Sequence, residues 1–157
     1  MGIEIERKYL VTGEQWRTAT GSLIAQGYLN RDKGRTVRVR LSGDKAYLTI
    51  KGPSIGVKRS EFEYAIPVHD AQEMLALCDG PVVQKVRHLV PFAGLTWEVD
   101  EFLGDNAGLV VAEIELTTEN QTFERPAWLG QEVSDDPRYF NSNLAAVPFS
   151  SWRDRSI

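Results

Sequence analysis

The sequence predicts a mainly β fold of the α+β class: a closed eight-stranded antiparallel β-barrel with a few short helices. Two observations predict it. Eight runs are rich in the β-branched and aromatic residues that strands favour, and the joints between them are mostly short and turn-prone. Short joints make neighbouring strands antiparallel, and eight strands in one domain leave a long exposed edge unless the sheet closes.

The predicted strands follow one another along the chain. Val37, Val39 and Leu41 alternate with Arg38 and Arg40, which is the two-residue period of a strand, and the other runs have the same character. The eight predicted runs are 3–11, 28–29, 36–41, 46–51, 59–67, 82–90, 95–102 and 109–117. Turn-forming residues occupy 30–34, 42–44, 52–56, 91–94 and 104–108.

Helical segments are few. The pattern at 70–78 is the clearest, because Asp70 can cap a helix with Glu73 three residues on, and an apolar stripe follows. The remaining helical predictions are 14–19, a single turn at 126–129, and 141–145.

Composition limits the classes of protein to consider. With 157 residues, 42% of them hydrophobic, we expect a single domain, 1–157, that buries its own core. A net charge of −4 argues against a nucleic-acid partner. The one cysteine, Cys78, excludes an intramolecular disulfide and favours a cytoplasmic location. No apolar run is long enough to span a membrane, so no membrane partner is expected, and no feature indicates an oligomeric state.

Paired charges of one sign recur in the predicted strands. The acidic units are Glu4-Ile5-Glu6, Glu61-Phe62-Glu63, Glu98-Val99-Asp100 and Glu113-Ile114-Glu115, and the basic units are Arg38-Val39-Arg40 and Lys85-Val86-Arg87. Residues i and i+2 of a strand point to the same face. Each unit therefore places two like charges on one side of the sheet and an apolar residue on the other.

A closed barrel must turn one of these two faces inward. Charges on the outside would leave an ordinary apolar core, and charges on the inside would make a hydrated ionic tunnel. Alternation alone does not separate the two. Solvated faces usually mix in Ser, Thr, Asn and Gln, whereas these strands repeat Glu and Arg with little dilution, and Arg suits bidentate phosphate contacts.

An inward charged face would support a particular chemistry. Many carboxylates crowded into one cavity raise each other's pKa or recruit a metal ion. Oxygen ligands select a hard divalent ion such as Mg2+ or Mn2+. The basic residues then need an anion, and a triphosphate fits both halves, since Arg and Lys hold its oxygens while a metal polarises the bond to be broken.

Taken together in chain order, these motifs resemble the CYTH superfamily, the triphosphate tunnel metalloenzymes. The matching segments are Glu4-x-Glu6-x-Lys8, Val37-Arg38-Val39-Arg40-Leu41, Leu48-Thr49-Ile50-Lys51, Glu61-Phe62-Glu63, Lys85-Val86-Arg87, Trp97-Glu98-Val99-Asp100 and Ala112-Glu113-Ile114-Glu115. The resemblance implies a closed antiparallel tunnel with the charges inward, Mg2+ or Mn2+ as cofactor, and hydrolysis or cyclisation of a triphosphate.

The resemblance also implies roles for individual residues. The implied metal ligands are Glu4, Glu6, Asp100, Glu113 and Glu115, and the implied phosphate ligands are Lys8, Arg38, Arg40, Lys51 and Arg87. Glu63 either orients a basic residue or completes a metal shell, and Glu61 and Glu98 share that ambiguity. Lys85 and Tyr28 resemble a Lys–Tyr pair that lies near the scissile phosphate in small bacterial tripolyphosphatases of this superfamily, which implies a catalytic role for both. A plain phosphate ligand is the alternative for Lys85.

The function predicted on this basis is metal-dependent hydrolysis of inorganic triphosphate to pyrophosphate and orthophosphate. One alternative on the same fold is a nucleoside triphosphatase or an adenylate cyclase, and a second is a non-catalytic polyphosphate-binding module. A third is an acidic barrel with an apolar core and charges on its surface. The four tryptophans are expected to pack rather than to stack on a base.

Overall fold

The computed structural model describes residues 2–18 and 20–152 of the chain. Its strands are β1 (Gly2–Val11), β2 (Ser22–Asn30), β3 (Thr36–Ser42), β4 (Lys45–Lys51), β5 (Lys58–Ile66), β6 (Asp79–Phe92), β7 (Leu95–Phe102), β8 (Val110–Glu115) and β9 (Leu129–Glu132). The helices are α1 (Val68–Leu75) and α2 (Asn141–Ala146), with short 3-10 turns at Gly104–Asn106, Pro137–Tyr139 and Phe149–Ser151. In the described ranges, no helix has the length and hydropathy to cross a membrane.

Eight of the strands close into an antiparallel barrel, which confirms the predicted fold class. The order is β5-β4-β3-β2-β6-β7-β8-β1, and a further pairing of β1 with β5 closes the ring. Long β1 makes this possible: its first residues pair with β5, and its later residues pair with β8 on the other edge. The short strand β9 adds to the end of β1 and lies outside the closed ring.

Three elements differ from the sequence predictions. β2 is nine residues long, whereas the sequence predicted only 28–29. Ala25 and Gly27 have weak strand preference, but both pair with β3, and Ala25 also pairs with β6. Strand β9 was not predicted: the predicted turn at 126–129 does form, with the N–H of Leu129 donating to the backbone oxygen of Pro126, and the chain continues from it into β9. The predicted helix at 14–19 is absent from its described part, 14–18, and Ala19 lies outside the described residues.

Helix α1 confirms the predicted helix type but begins two residues earlier, at Val68. Asp70 therefore lies in the first turn, where its charge suits the helix dipole, and makes no capping hydrogen bond. The helix packs on the outer face of β3 and β4 through Ala71, Met74 and Leu75. It also lies close to β2, since a Cβ on Gly27 would lie 3.2 Å from Cδ2 of Leu75.

The outer face of the barrel holds most of the apolar core. Trp97, Val99, Ala112 and Ile114, which alternate with the charged residues of β7 and β8, pack with Trp128 and their neighbours outside the ring. The residues of each charge pair therefore point inward, as the resemblance implied, and the apolar residue between them points outward. The reading that placed the charges on the surface is wrong for these strands.

The inward-facing side chains change from charged to apolar along the barrel axis. At one end Leu10, Val83, Phe102 and Val111 continue the inward period of β1, β6, β7 and β8 with apolar side chains. Leu144 and Ala145 of α2 pack against them, with Phe149, Tyr139 and Trp152. We call this cluster the apolar plug. It fills one end of the lumen, and the charged residues occupy the rest.

Candidate active site

The lumen beyond the apolar plug forms a cavity of about 270 Å3. Seven glutamates and seven basic residues line it. Every residue singled out from the sequence except Asp100 is among them: Glu4, Glu6, Lys8, Tyr28, Arg38, Arg40, Lys51, Glu61, Glu63, Lys85, Arg87, Glu98, Glu113 and Glu115. The closed sheet therefore brings together charges that lie more than a hundred residues apart in the sequence.

The cavity has two walls of opposite sign, each made by four adjacent strands. The acidic wall is β7-β8-β1-β5 and carries Glu98, Glu113, Glu115, Glu4, Glu6, Glu61 and Glu63. The basic wall is β4-β3-β2-β6 and carries Lys51, Arg38, Arg40, Lys85 and Arg87. Lys8 and Arg59 are the bases that lie on strands of the acidic wall.

Like charges stand opposite each other within the acidic wall. Glu6 pairs with Glu115 across β1 and β8, and Glu98 pairs with Glu113 across β7 and β8. Directly opposed like charges destabilise a sheet. Burial, with Glu113 and Glu4 nearby, raises the pKa of Glu6 well above its ordinary value. The acidic wall is therefore short of positive charge around Glu6.

Two lysines offset other glutamates of this wall. The Nζ of Lys51 lies 3.1 Å from Oε1 of Glu4 and 3.4 Å from Oε2 of Glu61. Burial acts to raise the pKa of Glu4, but the charge of Lys51 outweighs it and the pKa is lowered. The Nζ of Lys8 lies 3.3 Å from Oε2 of Glu113 and donates to the backbone oxygen of Tyr139.

Asp100 lies beneath the cavity surface and not on it. It is 1% exposed, and both carboxylate oxygens have cationic partners. Arg87 donates to Oδ1 and Oδ2 at 2.8 and 2.9 Å, and the Nζ of Lys85 lies 2.7 Å from Oδ2. Although burial opposes it, these two cations hold the pKa of Asp100 below its ordinary value. Asp100 thus orients Lys85 and Arg87, and its role as a metal ligand stays a prediction.

Lys85 is fully buried beside two other cations. Burial, together with Arg87 and Arg40, lowers the pKa of Lys85 to about 7, in spite of the opposing charge of Asp100. Tyr28 also lines the cavity, at its border with the apolar plug. No hydrogen bond joins Tyr28 to Lys85 within the described part of the chain, so their action as a pair stays a prediction.

Arg38 and Arg40 differ in how they are held. Arg38 donates to the hydroxyl of Thr49 and lies 3.6 Å from Oε1 of Glu63. Arg40 donates through Nε to Oε1 of Gln26 at 2.9 Å, and no described carboxylate lies within ion-pair distance of it. Burial and the charges of Arg38 and Arg87 lower the pKa of Arg40 to about 10. Arg40 is therefore a cation that lacks an anionic partner.

Sequence reasoning missed several lining residues. Arg59 shares the inward period of Glu61 and Glu63, a signal that was available in the sequence. Asn141, Phe140 and Ser134 come from the segment after β9, whose position no strand pattern foretells. The four tryptophans pack outside the cavity, as expected, and Tyr28 and Phe140 are the aromatic residues among the described lining residues.

The donor set fits a hard divalent cation. Glu6 and Glu115 have no ion-pair partner among residues 2–18 and 20–152. Burial, with the charges of Glu113 and Glu4, raises the pKa of Glu6, and a bound cation would offset these causes. Oxygen donors of this kind suit Mg2+ or Mn2+. In the same ranges no three acidic, histidine or cysteine side chains form a ready-made metal site. Lys51 and Lys8 hold Glu4 and Glu113 instead.

Comparison with known proteins agrees with this geometry. The family model for the CYTH domain matches residues 2–142. An inorganic triphosphatase of Acetivibrio thermocellus is 53% identical over 156 residues, which is 98% of this chain and 100% of that protein. An inorganic triphosphatase of Nitrosomonas europaea is 33% identical over 146 residues, which is 90% of this chain and 96% of that protein.

A solved structure gives the same fold. A crystal structure of an inorganic triphosphatase superposes with a TM-score of 0.66 at 32% identity, and covers 90% of this chain and 93% of that one. Triphosphatases with this domain are in general metal-dependent. The family match over residues 2–142, the relatives and the shared fold agree, and the chain belongs to the CYTH domain family.

Proposed function

We propose that the protein is an inorganic triphosphatase that hydrolyses tripolyphosphate to pyrophosphate and orthophosphate with a divalent metal ion. One observation carries the proposal: an acidic and a basic wall face each other across one cavity inside the closed barrel. A pure anion-binding module would have no use for seven glutamates. The relatives named inorganic triphosphatase support the same substrate, a small phosphate compound.

In this proposal the basic wall binds the phosphate oxygens. Arg40 lacks an anionic partner, and a phosphate oxygen would supply one at little cost in lost ion pairs. Arg38, Lys51 and Arg87 lie on the same wall, and Lys8 approaches from β1. Several fixed cations in a partly buried cavity stabilise the charge that develops on the phosphate oxygens during hydrolysis.

The acidic wall would hold the metal. The proposed ligands are Glu4, Glu6, Asp100, Glu113 and Glu115, and Mg2+ or Mn2+ is the proposed ion. When bound, the ion neutralises phosphate charge and polarises the phosphate oxygens as a Lewis acid. Glu61, Glu63 and Glu98 stand at the edges of this set, where each has a lysine or arginine partner.

Lys85 is the proposed proton acceptor. The oxygen of a water molecule bonds to a terminal phosphorus while the bond from that phosphorus to its bridging oxygen breaks. The electron pair leaves on the bridging oxygen as pyrophosphate, and the water proton passes to the neutral amine of Lys85. A lysine with a pKa near 7 carries enough neutral amine at physiological pH for this role.

A phosphate-release panel tests the function. Purified protein with Mg2+ or Mn2+ is incubated with tripolyphosphate, pyrophosphate, ATP or thiamine triphosphate. We expect orthophosphate from tripolyphosphate at the highest kcat/KM, because the described lining offers no extended aromatic platform for a base. Cyclic AMP and pyrophosphate from ATP would indicate a cyclase, and tight binding without product would indicate a storage or sensing module.

The pH dependence of kcat/KM tests the role of Lys85. Since the pKa of Lys85 is lowered to about 7, the neutral amine forms as pH rises through 7, and activity should rise with it. Lys85→Arg stays protonated throughout, so this variant should lose the rising limb between pH 6 and 8. An active Lys85→Arg variant with the parent profile would leave Lys85 as a phosphate ligand.

The cellular setting belongs to the same proposal. We place the enzyme in the cytoplasm as a single catalytic domain that acts on a free small molecule. The single thiol, Cys78, supports a reducing compartment. The acidic net charge of −4 supports a role that does not involve nucleic acid.

A further inference from the structure

Two neutral amides lie among the charges of the cavity, and the proposed reaction has not yet used them. Gln26 of β2 is fully buried between Arg40 and Asn141. Asn141 begins α2 and lines the cavity. Neither is an acid, a base or a metal ligand of the usual kind. Their hydrogen bonds nevertheless connect Arg40 to Lys85.

Arg40 fixes the direction of each hydrogen bond in the series that runs from Arg40 through Gln26 and Asn141 to Lys85. A guanidinium can only donate, so its Nε must meet the carbonyl oxygen of Gln26, at 2.9 Å. The amide nitrogen of Gln26 is then the end that faces Asn141, and it donates to Oδ1 of Asn141 at 2.9 Å. Lys85 donates to the same Oδ1 at 3.0 Å. Rotating either amide by 180° would place two hydrogen-bond donors against each other.

One polar group of this hydrogen-bonded series, Nδ2 of Asn141, makes no hydrogen bond within it. The Oδ1 of Asn141 accepts two hydrogen bonds, so Nδ2 points away from Gln26 and Lys85. Nδ2 has two N–H donors and no hydrogen-bond partner among the described residues, on a side chain that lines the cavity. An amide donor on a cavity-lining side chain that also contacts Lys85 of the basic wall matches an anionic oxygen.

We infer that Asn141 binds the substrate directly, by donating from Nδ2 to a phosphate oxygen of tripolyphosphate while its Oδ1 holds Lys85 in place. This inference rests on the proposed function and extends it to a residue of the C-terminal segment. It also assigns a structural role to Gln26. Gln26 fixes the orientation of Asn141 and links it to Arg40, the cation that lacks a partner.

The packing of α2 keeps Asn141 in position. Leu144 and Ala145, three and four residues on, are buried in the apolar plug. The helix therefore anchors on the barrel through its apolar side and presents its first residue to the cavity. A neutral donor suits this place better than a carboxylate would, because an aspartate here would repel the phosphate.

Asn141→Asp is the sharpest test, because it preserves shape and replaces the two N–H donors with an anionic oxygen. Binding of tripolyphosphate is measured by calorimetry in EDTA, and KM and kcat are measured with Mg2+. Loss of a hydrogen bond to a charged group, with added repulsion, should weaken binding by about 30-fold or more. Asn141→Leu, which removes the donors without adding charge, should weaken binding by about 10-fold.

Asn143→Asp is the matched control. It makes the same chemical change on the same helix, at a residue whose Nδ2 already donates to the backbone oxygen of Pro137 and which does not line the cavity. Its affinity should stay within about twofold of the parent. Thermal melting of each variant separates lost affinity from lost folding.

The outcomes separate this inference from the proposed function. Affinities of both Asn141 variants within about twofold of the parent would overturn the inference. A parent that binds tripolyphosphate but releases no orthophosphate would sink the proposed function alone, and the binding series would still decide the role of Asn141. A parent that neither binds tripolyphosphate in EDTA nor releases orthophosphate with Mg2+ would overturn both.

Discussion

Arg40→Gln should lower kcat/KM for tripolyphosphate by about 10²- to 10³-fold, the usual cost of losing one fixed donor at a developing oxyanion. The reason is the absence of a carboxylate partner for Arg40 among the described residues. The same feature predicts that the Arg40→Gln variant will be at least as stable as the parent. The lost charge is crowded by Arg38 and Arg87, so the melting temperature should stay equal or rise.

The control is Arg17→Gln. Arg17 lies outside the barrel, where it pairs with Glu101 and Glu14. These exposed ion pairs contribute little to stability, and Arg17 does not line the cavity, so this variant should keep parental kinetics. Phosphate release over a range of substrate concentrations gives kcat and KM for each. An Arg40→Gln variant with parental kcat/KM would remove Arg40 from the binding site.

Glu6→Gln should abolish most activity and yet stabilise the metal-free protein. With Mg2+, loss of a proposed ligand should reduce kcat/KM by more than about 100-fold, in line with the electrostatic contribution of a bound ion. The effect on stability follows from the raised pKa of Glu6. The folded protein keeps this proton at pH values where the unfolded chain has lost it.

The sign of the pH effect is therefore defined. Stability that comes from the extra proton is fully present below the ordinary pKa of 4.5 and is lost as pH rises through the raised pKa. Above the ordinary pKa of 4.5 the unfolded chain ionises this carboxyl while the folded protein resists ionisation, so the metal-free fold loses stability there, and glutamine avoids this loss. In EDTA the melting temperature of Glu6→Gln should exceed that of the parent by about 2 °C or more.

Addition of Mg2+ should reverse this order. The ion binds the folded parent and raises its melting temperature by mass action, and it should do less for Glu6→Gln. Glu73→Gln removes the same charge from the exposed face of α1 and should change neither value. A Glu6→Gln variant that keeps parental activity with Mg2+ would exclude Glu6 from the metal site.

The sequence could predict which residues of a strand share a face, because side chains alternate every two residues whichever strand lies alongside. Glu4, Glu6 and Lys8 share one face of β1 whatever β1 pairs with, and the same holds for Arg38 and Arg40 on β3. The division into two walls could not be predicted. It depends on β1 pairing with β5 and β8, and on β2 pairing with β6, all of which are long-range contacts.

The remaining differences have local causes. Asp100 has the same sequence signature as Glu98, but its shorter side chain meets Lys85 and Arg87 beneath the cavity surface. Asn141 gave no signal, because a single amide after β9 looks like any helix start until the fold brings it to Lys85. The charged periodicity predicts which residues face the lumen, whereas the position of a neutral residue between elements is known only once the fold is known.

The apolar plug limits how molecules can move through the barrel. Leu10, Val83, Phe102 and Val111 close the lumen on one side together with α2, and the opposite side is bordered by the β4–β5 connection at Ser54, Gly56 and Val57. An apolar end of this kind offers no favourable path to a charged phosphate. A linear polymer that reached the apolar plug would therefore have to stop there, and could not leave the lumen through that end.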